Sequence, residues 1–164
     1  MRKLTLGVIF LLLLLPISFA QEFNPKNTDE LINNLDVINS NFPKQLPENF
    51  QKLVKNDNIW VVINKDDLSK DLQLEIKDNK IIKIENKKPE KYVYKIIVNE
   101  DDLNYILSKD FDSVEKGMGV ASWMILNKKA KIKGSNFYNN IKIKIIMIFA
   151  KSSLKKNAVN PYEE

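Results

Sequence analysis

The sequence contains no cysteine, no histidine and a single arginine, Arg2. Each gap removes chemistry. Without cysteine there are no disulfides, thiolate metal sites or cysteine nucleophiles, so stability must come from packing. Without histidine the commonest general base and the commonest neutral metal ligand are gone. Serine–histidine and cysteine–histidine catalysis cannot be assembled. With arginine confined to residue 2, the body of the chain lacks the bidentate fork that reads guanine, which argues against sequence-specific DNA recognition. Glycine is also scarce, with four in 164 residues. Gly117 and Gly119 lack the third position of a dinucleotide fingerprint, and no phosphate loop is present. These shortages favour a binding protein over an enzyme, with no cofactor expected.

What is present begins with an export signal. Arg2 and Lys3 form a positive n-region, and Leu4 to Ile17 an apolar run centred on Leu11 to Leu15. Pro16 breaks the run, and Ser18-Phe19-Ala20 puts small residues where a signal peptidase reads. Residues 1–20 are expected to be a signal peptide cleaved after Ala20, with the protein extracellular or in the cell envelope. The alternative is an uncleaved anchor, since about 17 uncharged residues lie at the short limit for spanning a bilayer. No cysteine follows the apolar run, so this is not a lipoprotein signal. The remainder, Gln21 to Glu164, has the size of one domain. Loss of Arg2 and Lys3 lowers the net charge from +5 to about +3, an ordinary solubility margin.

After a polar lead, Thr28 can cap a helix over 29–40 carrying Leu31, Ile32, Leu35 and Ile38. Residues 21–46 thus read as a linker and helix. Pro47 can start a second helix with Phe50, Leu53 and Val54 on one face. Ile59 to Ile63 is a run of strand formers. Leu72, Leu74 and Ile76 alternate with polar residues, Asp78-Asn79 is a hairpin turn, and Ile82 and Ile84 continue the alternation. Tyr92, Tyr94, Ile96 and Val98 make a fourth strand. Lysine and glutamate at the intervening positions turn one sheet face to water. Asn99 to Asp102 caps a helix that turns Leu103, Ile106 and Leu107 inward. Asp112 or Ser113 starts another that runs to about Asn127, with Val114, Met118, Ala121, Met124 and Ile125 at helical spacing. Gly117 and Gly119 weaken this helix but permit close approach of a backbone or ligand. Lys129 to Gly134 is a fifth strand with Ala130 and Ile132 inward. Residues 141–150 fit both periods: Ile141, Ile143, Ile145, Met147 and Phe149 alternate, while Phe137, Ile141, Ile145 and Ile148 follow a helix. The tail after Leu154 is polar and expected to be loose, with 157–164 outside the domain.

Three stretches, in this order and spacing, resemble the sterol carrier protein 2 (sterol-transfer) domain family. They are the hairpin Leu72 to Ile81, the strand, acidic cap and helix Tyr94 to Ser108, and the lysine-rich strand Lys129 to Ser135 that ends in glycine. The likeness covers about residues 47–155, so 47–156 reads as a sterol-carrier-like domain. It implies an α+β fold, a five-stranded mainly antiparallel sheet with helices packed on one face. It also implies an apolar tunnel between the layers for a lipid or other hydrophobic molecule, and a helix for 137–154. The family is best known inside cells, whereas this chain carries an export signal.

The ligand-binding candidates are Phe111, Met118, Trp123, Met124, Ile145, Met147 and Phe149. Methionine and aromatic side chains make adaptable apolar walls; equally, they can be plain core. Lys142 and Lys144 lie among isoleucines, with Lys151, Lys155 and Lys156 beyond. They can form a peripheral, membrane-facing segment drawn to anionic lipid, or simply a solvated face. Asp66-Asp67 reads as a turn and Asp101-Asp102 as a helix cap; neither has calcium-loop spacing. An enzyme would need a carboxylate such as Asp112 or Glu115 facing a pocket. Trp60, Tyr92 and Tyr94 on alternating strand positions read as core, and nucleic acid is not an expected partner. The leading reading is a non-catalytic exported domain binding a lipid or other hydrophobic ligand. The alternative is an envelope-associated structural or interaction module with a filled core.

Overall fold

The computed structural model describes residues 25–40, 42–45, 51, 56–109 and 114–163. The expected export signal, most of the expected helix after Pro47 and Phe111 lie outside the described residues. The described elements run α1 Thr28–Asn33, α2 Leu35–Asn39, β1 Lys44–Gln45, β2 Asp57–Lys65, β3 Leu68–Lys77 and β4 Lys80–Glu85. They continue with β5 Tyr94–Asn99, α3 Glu100–Leu107, α4 Val114–Leu126, β6 Ala130–Gly134 and α5 Phe137–Asn157.

The fold is α+β, as the sequence implies, but the sheet differs in two respects. It has six described strands, not five, in the order β1-β4-β3-β2-β5-β6. The extra strand is the pair Lys44–Gln45, set against Ile81 and Lys80. Two residues are too short for a periodic signal. The sheet is also mixed, because β2 and β5 run parallel, with Ile59 opposite Tyr94 and Ile63 opposite Val98. The other pairings are antiparallel.

One sheet face is apolar and closed. Ile59, Val61, Ile63, Leu72, Leu74, Ile96 and Val98 are each no more than 1% exposed. Leu31 and Ile38 from the first two helices join this core, as do Leu103, Ile106 and Leu107 of α3 and Val120, Ala121 and Met124 of α4. The β3–β4 hairpin turns on Asp78 and Asn79 with φ of 50° and 61°, the pair of left-handed residues that the tightest hairpin turn requires. A bulge then shifts the register. Glu75 faces Lys83 but Ile76 faces Ile81, which leaves Ile82 as the extra residue. Ile81 and Ile84, not Ile82 and Ile84, therefore point into the core.

The first helix is broken at Asn34 into α1 and α2, and its cap is Asn27 rather than Thr28. The Asn27 side chain accepts from the Glu30 amide at 2.9 Å, while Glu30 receives the Lys26 amide at 2.8 Å. The helix start is thus fastened by its cap and by a back-bond to the residue before the cap. Thr28 is thereby free to turn inward. It is fully buried, and its hydroxyl lies against the Glu100 carboxylate and the Asn104 side-chain oxygen. At α3 the expected cap is present, with Asn99 accepting from Asp101 and Asp102.

Candidate functional site

The last helix decides the shape of the site. Its run of isoleucines disfavours helix by a few tenths of a kcal/mol per residue. Three asparagines offset this at the N-terminus. Asn136 caps the helix by accepting from the Asn139 amide at 2.9 Å. Asn139 is buried and donates to Ser135 Oγ at 3.1 Å. Asn140 accepts from the Gly134 amide at 2.9 Å and donates back to the Gly134 carbonyl at 3.2 Å. Caps of this kind contribute about 1 kcal/mol each. A Cβ on Gly134 would lie 2.5 Å from the Asn140 nitrogen, so only glycine allows the turn. The helix leaves the end of β6 and folds back over that strand and α4.

Between these elements lies an apolar cleft of about 340 Å3 lined by Ile125, Ala130, Ile132, Ile143 and Met147, with Lys128 and Lys131 among its walls. The cleft sits at the β6 edge of the sheet. Lys128 ends α4 in the left-handed conformation, φ 61°. The Lys129 amide reaches back to the Met124 carbonyl at 2.8 Å and the Lys128 amide to the Ile125 carbonyl at 3.2 Å. This is a Schellman ending with lysine where glycine is preferred. A larger cleft, about 470 Å3, lies near Asn58, Gln73, Lys87, Lys88, Glu90 and Lys91. Its amides and charges suit a hydrophobic ligand poorly.

Among the residues singled out from sequence, Met147 lines the apolar cleft. Met124 is fully buried in the core and does not line the cleft. Trp123 is half-buried and packs at 5.4 Å against the ring of Tyr162. Ile145 is 49% exposed on the opposite side of α5. Phe111 and Asp112 lie outside the described residues, as do the side chains of Met118, Glu115 and Phe149. Sequence reasoning did not name Ile125, Ala130, Ile132, Ile143, Lys128 and Lys131 as ligand residues. The inward alternation of Ala130 and Ile132 beside Ile143 was the available signal.

The structure is similar to those of sterol carrier protein 2 domains. Palmitated SCP2L2 from Aedes aegypti matches with a TM-score of 0.40 and 11% identity over 74% of this chain and 88% of that one. UbiJ-SCP2, a ubiquinone synthesis protein, matches with a TM-score of 0.39 and 11% identity, covering 76% and 92%. The sterol carrier protein domain 2 of Helicoverpa armigera matches with a TM-score of 0.35 and 12% identity, covering 92% and 94%. No protein-family model matches the sequence, and no curated protein matches it. A likeness at these values fixes no ligand.

The tail beyond α5, expected to be loose, is docked. The Val159 amide donates to the Gly119 carbonyl at 3.0 Å, and a Cβ on Gly119 would meet Val159 Cγ2 at 2.5 Å. The close approach that Gly119 permits is thus made by the chain's own C-terminal segment. Tyr162 stacks on Tyr105 at 4.4 Å, its hydroxyl donates to Asp102 at 2.9 Å, and Tyr105 donates to the Pro161 carbonyl at 3.1 Å. Burial, then the bond to the Asp102 carboxylate and its charge, push the Tyr162 hydroxyl up to about 12. On the open face of the sheet Trp60 donates to Asp71 at 2.7 Å and carries Lys95 over its ring at 3.6 Å. Burial lowers the Lys95 pKa. Tyr94 is 1% exposed, and its hydroxyl has no hydrogen-bond partner among the described residues.

Proposed function

We propose that the protein is a non-catalytic, exported domain that holds a lipid or another hydrophobic small molecule in the cleft beneath α5. The observation that carries this reading is the 340 Å3 apolar space bounded by Ile132, Ile143 and Met147. That volume lies at the lower end of small-molecule sites, so it suits one chain or ring system of an amphiphile. Lys128 and Lys131, two cations beside apolar walls, suit a polar or acidic head. The export signal read in residues 1–20 supports an activity outside the cytoplasm, in the envelope or beyond, in peripheral contact with a membrane.

Extraction of the purified protein followed by mass spectrometry of the organic phase tests the reading. A stoichiometric lipid, and a rise in melting temperature when fatty acids or isoprenoid lipids are added, are expected. Met147→Glu puts a charge into the cleft at a half-buried position and should abolish both while the variant stays folded. A protein that emerges empty and does not respond to any of these ligands refutes the reading. It would favour an envelope-associated interaction module, consistent with the closed packing over β2, β3 and β5.

A further inference from the structure

The two sides of α5 are both apolar, and only one is covered. Ile143 and Met147 face the cleft. On the other side Phe137 is 81% exposed, Tyr138 65%, Ile141 36%, Ile145 49% and Ile148 72%. At about 100° per residue these five fall in one stripe roughly 100° wide. Solitary exposed apolar residues need no explanation, but a contiguous stripe on one element does. Its borders are cationic. Lys144 and Lys151 lie along one edge and Lys142 and Lys156 along the other, with Lys155 beyond the end of the stripe. From Phe137 to Asn157 there is no acidic residue. Lys142 sets its ammonium over the Tyr138 ring at 4.6 Å, so its stem lies along the border of the apolar surface.

We propose that this face of α5 lies flat in the surface of an anionic bilayer, with Phe137, Ile141, Ile145 and Ile148 in the acyl boundary and the flanking lysines on lipid phosphates. The proposal deepens the membrane contact given above by naming the surface and the lipid charge, and it rests on that contact but not on a bound ligand. The charge pattern selects the occupant. A helix with an apolar face and an all-lysine border is the form that binds anionic interfaces. A second copy placed symmetrically on the same face would set lysine borders against lysine borders, which is repulsive. No described helix is long and apolar enough to cross a membrane, so the contact is with the surface. In that pose the helix that walls the cleft on one side touches lipid on the other.

The absence of cysteine makes the test clean, because one introduced cysteine gives one label. The full chain carrying Ile148→Cys with an environment-sensitive fluorophore is mixed with phosphatidylcholine–phosphatidylglycerol vesicles and, separately, with pure phosphatidylcholine vesicles. A blue shift and a gain in intensity are expected with the anionic vesicles only, reversed by raised salt. A Glu75→Cys label on the open sheet face should not respond. This site-specific readout is indifferent to any binding by residues 4–20. Adding Lys144→Gln, Lys151→Gln and Lys155→Gln should weaken the response at least roughly tenfold. No shift at Ile148→Cys, or equal shifts with both vesicle types, overturns the proposal. Protection of the label without vesicles, accompanied by a doubled mass, also overturns it in favour of self-association. So does a shift produced by an acidic protein but by neither vesicle. An empty cleft together with the anionic shift leaves the docking face intact and removes only the ligand reading.

Discussion

Replacing Thr28 with valine should destabilise the protein by about 1.5–3 kcal/mol near neutral pH, the usual range for a hydrogen bond to a charged group. The two side chains have nearly the same shape, so the change removes a hydroxyl and little else. That hydroxyl is fully buried against the Glu100 carboxylate, itself 3% exposed. Glu100 also holds Lys70, and Lys65 stands 4.0 Å away. Burial alone would raise the Glu100 pKa. The hydrogen bonds from Lys70 and Thr28 and the two lysine charges outweigh it and hold the carboxyl below its ordinary 4.5. A folded value below the unfolded one means that the stabilisation is present above the unfolded pKa and lost as pH falls through the folded one. At about 4 °C per kcal/mol for a chain of this size, thermal melts followed by circular dichroism should show Thr28→Val roughly 6–12 °C below the parent near neutrality. The difference should narrow below about pH 4.5, as Glu100 protonates, and Thr28→Ser should recover much of it. A valine variant that melts with the parent near neutral pH, or a deficit that does not change into the acid range, would refute the assigned role of the buried carboxylate.

Gly119→Ala would normally add about 1 kcal/mol of helix propensity, but here its Cβ would lie 2.5 Å from Val159 Cγ2 and 2.8 Å from the Asn157 carbonyl. A net loss of about 1–2 kcal/mol in urea unfolding is expected, partly recovered by adding Val159→Ala. Tyr94→Phe removes a buried hydroxyl without a described partner and should leave stability unchanged or raise it by about 1 kcal/mol; a marked drop would mean that the hydroxyl is satisfied. In an alkaline absorbance titration Tyr162 should ionise near 12. Because its folded value is raised, the stabilisation from tail docking is complete below the ordinary value of 10 and is lost as pH rises through about 12.

Much of the architecture was legible because local signals agreed with tertiary ones. Alternation in Leu72–Ile76 and Tyr94–Val98, the Asp78-Asn79 turn and the Asn99 cap each named their element. The failures share a physical cause: a partner distant in sequence changed the outcome. Thr28 and Asn27 are both good caps, and the choice was made by Glu100, which recruits Thr28. The Ile81–Ile82 shift needed the bulge opposite Glu75 and Ile76. The tail looks polar because its few apolar groups, Val159, Pro161 and Tyr162, have no period, yet each finds a prepared contact. For 137–154 periodicity was silent because the helix is apolar on two faces at once. That same ambiguity spread the sequence-derived ligand set around α5, so that Met147 faces the cleft and Ile145 faces outward. No one-dimensional pattern identifies which apolar face a neighbouring strand will cover.

The parallel pairing of β2 with β5 also governs the order in which the chain can assemble. β2, β3 and β4 can zip as successive hairpins, but β5 must pass the β3–β4 hairpin to reach the far edge of β2, and non-local parallel closure is slow. Until then the β5-facing edge of β2, which bears Ile59, Val61 and Ile63 on its core side, has open hydrogen-bonding groups. Such an edge invites strand addition from another molecule. The interval before β5 docks is therefore when this protein is most exposed to aggregation, and the β2 amides that face β5 should gain hydrogen-exchange protection together with those of β5, after those shared by β2, β3 and β4.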